Sequence, residues 1–456
     1  MGDEGTYRAG EELAIGGLGE AAGETTSTFS RLPGDYPIRA WFGSHRPFVL
    51  EFSFFLGSVV ALQGSRFLFT LGVASGLRPA DFTAWAQFVT LVGYAPAILL
   101  GIGNGLNRLL PILVGQGASD EADEVEATTW GAVVSVGVVA VALTAVLAAA
   151  RASTWLTMAM LAGAAMTVYQ IQQFTMRSRL LFNRASAQQA GWACIMVASL
   201  GLLVVGAHAS LASVLWIWTA GSLGSLAIGW ALRRPVVRRP SGPRALSLLA
   251  MGFPIMLSGL LGNLFYTADR WVAAGRLEPA AAGSYALASL MASAVFLMPS
   301  VIAQQLYPRL GMLFGRNPCG ATLLAAAHRQ SLAAAGASLI AAMGVAAFAA
   351  VVLPALLPQY GTAVAPAVIL SVGIVALAAG TGYSNLLLVI GAQWLYLGVQ
   401  AVCFAVALGL MWIGCGIGGG VGLAFGFAMG QLLLTAALAV SARTRLSWRS
   451  QPLRWA

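Results

Sequence analysis

Apolar residues run along this chain in blocks of about twenty, separated by short polar turns, and a helical block of that length crosses a hydrocarbon core of about 30 Å. Twelve blocks can be drawn, over 52–74, 82–103, 128–149, 154–174, 188–207, 210–231, 247–268, 281–304, 332–354, 363–388, 393–413 and 417–440. The pattern predicts an all-α polytopic membrane protein with about twelve transmembrane helices in two six-helix bundles. The midpoint is marked by RRPVVRRPSGPR (233–244), whose five arginines and three prolines cannot extend a membrane helix. The expected organisation is therefore a tail over 1–48, a first bundle over 49–232, a basic linker over 233–246, a second bundle over 247–441 and a basic tail over 442–456.

Composition agrees with the pattern. Hydrophobic residues make up 58% of the 456 and charged residues 9%, with mean hydropathy +0.80; an ordinary soluble domain carries about 25% charged residues. The 54 glycines suit a membrane bundle, where small residues let helices approach closely.

Charge fixes the expected topology. All 25 basic residues are arginine. With the N-terminus placed in the cytoplasm, twenty arginines fall in inside segments, against four outside (Arg78, Arg151, Arg270 and Arg276) and one, Arg66, within the membrane. That positive-inside bias places both termini in the cytoplasm. The net charge of +9 is thus a topology signal, not a nucleic-acid footprint. Residues 1–48 hold seven acids and begin neither basic nor apolar, so they read as a disordered cytoplasmic tail, not a signal peptide.

One charge interrupts the first block. Arg66 stands about three residues past its midpoint, only ~5 Å at 1.5 Å per residue, so its head cannot easily snorkel to the surface. A buried charge there costs at least ~2.5–3.5 kcal/mol on insertion scales and is expected to face a wet cavity or a partner. No acid lies in the same block. Gln63, Arg66 and Thr70 follow i, i+3, i+7 and share a helix face. A fixed cation of this kind suits anionic cargo, and its paired donors match phosphate oxygens. Asn263, Tyr266 and Arg270 make a second stripe with the same spacing, and Asp269 points about 100° away from Arg270 on a regular helix. Arg270 is a candidate second anion contact and Asp269 a candidate cation-coupling site, or both simply mark the helix end. Tyr94, Asn104, Asn107, Gln304 and Gln305 are candidates for sugar hydroxyls. The acids Asp120, Glu121, Asp123, Glu124 and Glu126 read as a solvated loop or a helix start. The four cysteines and three histidines (His45, His208, His328) show no ligand spacing, and no metal or cofactor is expected.

A shift of 200 residues aligns LRPADFTAWA (77–86) with LEPAAAGSYA (277–286) and gives nine identities over 77–115. With six helices per half, such repeats share one orientation and are related by an axis along the membrane normal.

The stretch 250–316, with Asp269-Arg270, Gly283-Ser284-Tyr285 and Pro308-Arg309, resembles helices seven and eight of Wzx-type polysaccharide flippases. These belong to the multidrug/oligosaccharidyl-lipid/polysaccharide (MOP) superfamily. The opening hairpin, with Arg66 and LRPADFTAWAQFV, looks like that family's own. The resemblance implies two six-helix bundles in a V around a cationic cavity, in a bacterial inner membrane. The implied cargo is an undecaprenyl-pyrophosphate-linked oligosaccharide, carried to the periplasmic leaflet by alternating access with no bond made or broken. Implied partners are that lipid-linked oligosaccharide, membrane lipids, and polysaccharide polymerase and glycosyltransferase enzymes. A cation-coupled multidrug extruder of the same superfamily is the alternative, disfavoured by scarce acids: the first half has only Glu51 and Asp81 near its membrane edges, and none follows Glu278. A lipid II flippase would share the cationic cavity. A glycan polymerase would need a large outer loop, and a major-facilitator transporter a basic motif where 115–126 reads GQGASDEADEVE.

Overall fold

A computed structural model describes residues 38–77, 79–150, 153–205, 210–235, 241–356 and 358–447. The larger of two compact units begins at Phe55, and the contacts below lie within it. The described residues form α1 (Ile38–Gly76), α2 (Pro79–Tyr94), α3 (Ile102–Gln116), α4 (Ser119–Ala149), α5 (Thr154–Ser178), α6 (Phe182–Val205), α7 (Leu211–Leu232), α8 (Gly242–Arg276), α9 (Pro279–Arg316), α10 (Gly320–Leu356), α11 (Val364–Val389) and α12 (Gln393–Ser447). No strand occurs among them. The tail expected at the N-terminus lies outside the described residues up to residue 37, as do residues 236–240 of the linker and 448–456 of the C-terminal tail.

Eight of these helices are long and apolar enough to cross a membrane, and the bent pair α2–α3 makes a ninth. Counting α12 as two arms, and adding α5 and α6, whose glutamines dilute their hydropathy, brings the spans to twelve. The expected all-α, twelve-span fold is what forms.

Two backbone breaks shape it. In α12 the helix fails at Gly418 and Gly419, the latter at φ 55, ψ −134. The arms then fold back together: a Cβ on Gly422 would lie 2.0 Å from the Gly414 carbonyl oxygen, and Gly426 meets Leu410. Only residues without side chains allow arms this close. The second break falls inside the span drawn over 82–103 and carries it on to Gln116. After Tyr94 a 3-10 turn covers Ala95–Leu99 with Pro96 inside it, and Leu100 (φ 49) and Gly101 (φ 95) are left-handed. The flanking segments Gln87–Leu99 and Ile102–Gln116 are bent by 61°. Pro96 was visible in the sequence, but a proline near a helix end fixes neither the size nor the direction of a bend.

The internal repeat is legible in the packing. Pro79 and Pro279 each open a helix, where a missing N–H costs nothing, and Trp85 and Tyr285 are both 1% exposed. Helices α3 and α9 cross so that Gly115 abuts Met312 while Gly315 abuts Ile112. A Cβ at these glycines would lie 2.3 and 2.2 Å from the facing carbonyl oxygens. The two contacts exchange under the 200-residue shift, which is what a two-fold relation between the copies requires. Helices α5 and α11 end in the same turn. Leu181 N donates to Met176 O at 2.8 Å and Leu180 N to Arg177 O at 2.9 Å, while Ala392 N donates to Leu387 O at 2.8 Å and Gly391 N to Leu388 O at 3.3 Å. These are paired 6→1 and 5→2 bonds with Leu180 and Gly391 left-handed.

The hydrophobic core divides into three clusters. One is built on α8–α12 and takes in Ile112 of α3; a second joins α1, α2, α5, α6 and α7; a third lies on α3–α5 and takes in Leu248 of α8. Helix α3 thus packs on α4 and α5 and also against α8 and α9.

The acidic run sits in the first turns of α4, where carboxylates suit the helix dipole. It is not merely solvated. Glu126 is buried and pairs with Arg179 at 2.8 Å and Arg233 at 2.8 Å, Asp123 also pairs with Arg179, and Glu124 pairs with Arg244 at 3.2 Å. One carboxylate therefore ties α4 to the ends of α5 and α7. Glu126→Gln leaves the partly buried Arg233 without its counter-charge and Arg179 with Asp123 alone, at a cost of about 1–3 kcal/mol once their remaining solvent contact is allowed for. A fall of several degrees in the thermal midpoint of the detergent-solubilised protein is expected; an unchanged midpoint would show the pairs to be dispensable.

Candidate functional site

Arg66 projects from α1 toward α6. Its Cζ lies 4.2 Å from the centre of the Trp192 ring, and that ring meets Tyr169 of α5 edge-on at 4.6 Å. Trp192 is fully buried. The aromatic face substitutes for an acid, attracting the cation through the ring quadrupole. None of the guanidinium nitrogens is hydrogen bonded among the described residues, and Nε is shut off from solvent. The arginine is thus held in place with its donors unspent. Its two sequence companions do not join it. Thr70 Oγ1 donates to the Arg66 carbonyl at 2.9 Å, a bond within the helix backbone, and Gln63 is exposed.

On α8 the predicted stripe splits. Asp269 is buried seven residues before the helix ends at Arg276, so it does not mark the terminus. Its Oδ2 accepts from Tyr285 Oη at 3.0 Å and Ser289 Oγ at 3.3 Å, both on α9, while Oδ1 is buried without a partner. Arg270 Nε donates to the same Ser289 Oγ at 2.8 Å, and its Cζ is 5.9 Å from the Tyr266 ring, which stacks on Phe296 at 4.4 Å. The 100° offset between Asp269 and Arg270 is thus bridged by a serine of the next helix. Asn263 turns elsewhere, into a cavity.

That cavity, of about 290 Å³, lies between the bend joining α2 to α3, helix α5 and helix α8. Its polar lining is Tyr94, Asn104, Gln170 and Asn263, with Phe174 beside them. Of the sugar candidates, Tyr94 and Asn104 are here. Asn107 accepts from Ser178 Oγ at 3.4 Å, Gln304 Oε1 accepts from Arg177 Nη1, and Gln305 is fully buried between helices.

Several polar groups escaped the sequence reading. Gln172, Gln173, Gln188 and Gln189 form a buried amide network. Gln173 Nε2 donates to Gln188 Oε1 at 2.9 Å, Gln189 Nε2 to Gln173 Oε1 at 3.0 Å, and Ser58 Oγ to Gln189 Oε1 at 2.9 Å. The runs QIQQ and QQ inside apolar blocks were the available signal. Arg108 and Arg177, counted only as inside charges, are buried. Arg108 donates from Nε to Leu388 O at 2.6 Å and from Nη2 to Val389 O at 3.3 Å, capping the C-terminal carbonyls of α11. Nothing local announces a cap reaching across 280 residues. Among the described residues no three metal-ligating side chains gather.

Twelve apolar spans with polar side chains and a cavity among them make a multi-pass membrane fold. It is similar to the fold of solved MATE transporters. An outward-facing multidrug resistance MATE family transporter of the MOP superfamily matches with TM-score 0.75 at 16% identity, over 88% of this chain and 96% of that one. A mutant of the Vibrio cholerae MATE transporter VcmN matches with TM-score 0.73 at 17% identity, over 89% and 97%. A MATE protein in its straight conformation gives 0.73 at 15%, over 88% and 95%. No family model and no curated protein sequence matches the chain.

Proposed function

We propose that the protein flips a polyprenyl-pyrophosphate-linked oligosaccharide across a bacterial inner membrane by alternating access, for the assembly of surface or exported polysaccharide. The observation that carries this reading is the charge balance of the interior. Arg66 lies in the membrane interior with an aromatic face for a partner, Arg270 lies beside one buried carboxylate, and Arg108 and Arg177 are buried on helix carbonyls and amides. Against them, two acids among the described residues are buried within the long apolar helices: Glu126, already paired with Arg179 and Arg233, and Asp269, which has no ion-pair partner. Such an interior attracts a diphosphate and repels a cationic drug. The arginine distribution supports loading from the cytoplasmic leaflet, with both termini on that side. A lipid II flippase would use the same chemistry on a different glycan, and partner polymerases and glycosyltransferases would supply and consume the cargo.

The test is mass spectrometry of polyprenyl-pyrophosphate lipids from a deletion strain and its complemented parent. One glycosylated lipid should accumulate in the deletion strain. An unchanged profile in cells that express the protein normally would favour the cation-coupled multidrug extruder.

That second reading has one observation of its own. Asp269 makes no ion pair among the described residues, keeps Oδ1 unpartnered, and is ringed by the hydroxyls of Tyr285 and Ser289. The same carboxylate can couple a flippase to a cation gradient. Asp269→Asn is then expected to leave binding of cargo intact and remove the dependence of transport on the gradient, measured in proteoliposomes with imposed proton or sodium gradients. An unchanged dependence would return Asp269 to a structural role between α8 and α9.

A further inference from the structure

The cavity beside the α2–α3 bend differs from the rest of the interior in two independent ways. First, Tyr94, Asn104, Gln170 and Asn263 all line it, and among the described residues none of their side chains hydrogen bonds to the protein. Tyr94 and Asn263 are exposed and Asn104 and Gln170 partly buried, so their polar groups are left open to whatever fills the cavity. The next glutamines on the same helix, Gln172 and Gln173, are instead buried and bonded, to Leu226 O at 3.3 Å and Gln188 Oε1 at 2.9 Å. Gln170 is turned out of that network and into the cavity.

Second, the cavity sits where the repeat loses its symmetry. Helix α9 continues without interruption through the positions that match the bend, while its counterpart α2–α3 breaks at Ala95–Gly101. Helical hydrogen bonding lost at membrane depth is tolerated only where the backbone is covered by protein or lines a wet cavity. Interrupted helices are also where transporters build binding sites. Alongside, α3 and α8 touch backbone to backbone: a Cβ on Gly252 would lie 1.9 Å from Gly101 O, and one on Gly105 would lie 2.3 Å from Leu248 O. That contact fixes the two walls relative to each other.

The lining carries no charged side chain. Three amides supply both donors and acceptors, the phenol supplies one of each, and the ring faces of Tyr94 and Phe174 are apolar. This is chemistry for a ring with hydroxyls at its edge and C–H bonds on its face. It offers a diphosphate no counter-charge and an organic cation no carboxylate. The volume is at the small end of ligand pockets, about 300–1,000 Å³, which suits one part of a large cargo and not the whole. Gln170 lies sixteen residues into α5, about 24 Å from that helix's start at 1.5 Å per residue, which on the expected topology is toward the arginine-rich end of the helix.

We propose that this cavity is a sugar subsite: it holds an uncharged, hydroxyl-rich monosaccharide unit of the cargo, apart from the cationic groups that hold the diphosphate. The inference rests on the flippase reading and adds to it where the glycan is recognised.

The test compares three probes on the full-length protein in nanodiscs: undecaprenyl pyrophosphate, the same lipid bearing a single hexose or N-acetylhexosamine, and tetraphenylphosphonium. The unaltered protein should bind a glycosylated lipid about tenfold or more tighter than the bare one, as expected from two or three neutral hydrogen bonds. Combined Asn104→Ala, Gln170→Ala and Asn263→Ala should erase that difference and leave the affinity for the bare lipid unchanged, which also shows the variant to be folded. Gln170→Leu alone, close in volume, should lose part of the difference. Equal affinity for bare and glycosylated lipids in the unaltered protein, or a difference that survives the triple substitution, overturns the subsite while the flippase reading stands. Binding of tetraphenylphosphonium with no binding of either lipid overturns both.

Discussion

Arg66→Ala is expected to abolish export while leaving the folded protein in the membrane. The two halves of that expectation come from different magnitudes. The guanidinium costs at least ~2.5–3.5 kcal/mol to place at that depth, and its stacking on Trp192 returns about 0.5–2 kcal/mol. Removing it therefore changes stability little, or improves it. Cargo binding is another matter. Two charge-assisted hydrogen bonds to a phosphate contribute about 1.5–3 kcal/mol each, so their loss lowers transport at least about a hundredfold. Arg66→Lys keeps the charge and loses the planar fork, and should recover only part of the activity. The measurement is accumulation of the glycosylated lipid in cells whose membranes contain normal amounts of the variant. Full export by a well-expressed Arg66→Ala would remove the arginine from the cargo pathway.

The second large effect is expected at the crossing of α3 and α9. Gly115 and Gly315 each face a carbonyl oxygen at a distance no side chain can share, 2.3 and 2.2 Å from an ideal Cβ. Backbone cannot swing aside as a flexible side chain does, so leucine at either position must push the helices apart. The contacts are equivalent under the repeat, so Gly115→Leu and Gly315→Leu should behave alike, each cutting export by at least about tenfold. The double variant should be little worse than either single one, because both disrupt one crossing. Spin labels at the exposed positions Gln116 and Arg316 would report the separation directly. Export at the normal rate by Gly115→Leu would show that transport never requires this close crossing.

Much of the molecule could be read before any coordinates. Helix positions followed from the apolar blocks, because a backbone in lipid must satisfy its own hydrogen bonds and has few alternatives to helix. The repeat was visible at 77–115 and 277–315, and its register matches the reciprocal glycine contacts. Arg66 was picked out because a charge in an apolar block is costly wherever it ends up, and Asp269 from its place beside Arg270 at the end of the next half's first block.

Neighbours were another matter. The i, i+3, i+7 rule placed Gln63, Arg66 and Thr70 on one face, and Asn263, Tyr266 and Arg270 on another, but a face spans several neighbours. Thr70 bonds back to its own helix, Asn263 turns to the cavity, and Arg270 meets Ser289. The Trp192 ring under Arg66 lies 126 residues away in sequence, in a different helix. The amides at 172, 173, 188 and 189 looked like ordinary polar interruptions until the packing of α5 against α6 brought them together.

What the sequence determined by itself is therefore the membrane class, the helical spans, the arginine-rich end and the presence of an unneutralised cation, since each depends on hydropathy or on a local period. Tertiary structure alone decided the 61° bend, the aromatic partner of Arg66, the cap Arg108 places on α11, and the cavity that gathers Tyr94, Asn104, Gln170 and Asn263. Each of these depends on which helix lies beside which, and close packing between distant segments leaves no periodic signal in the chain.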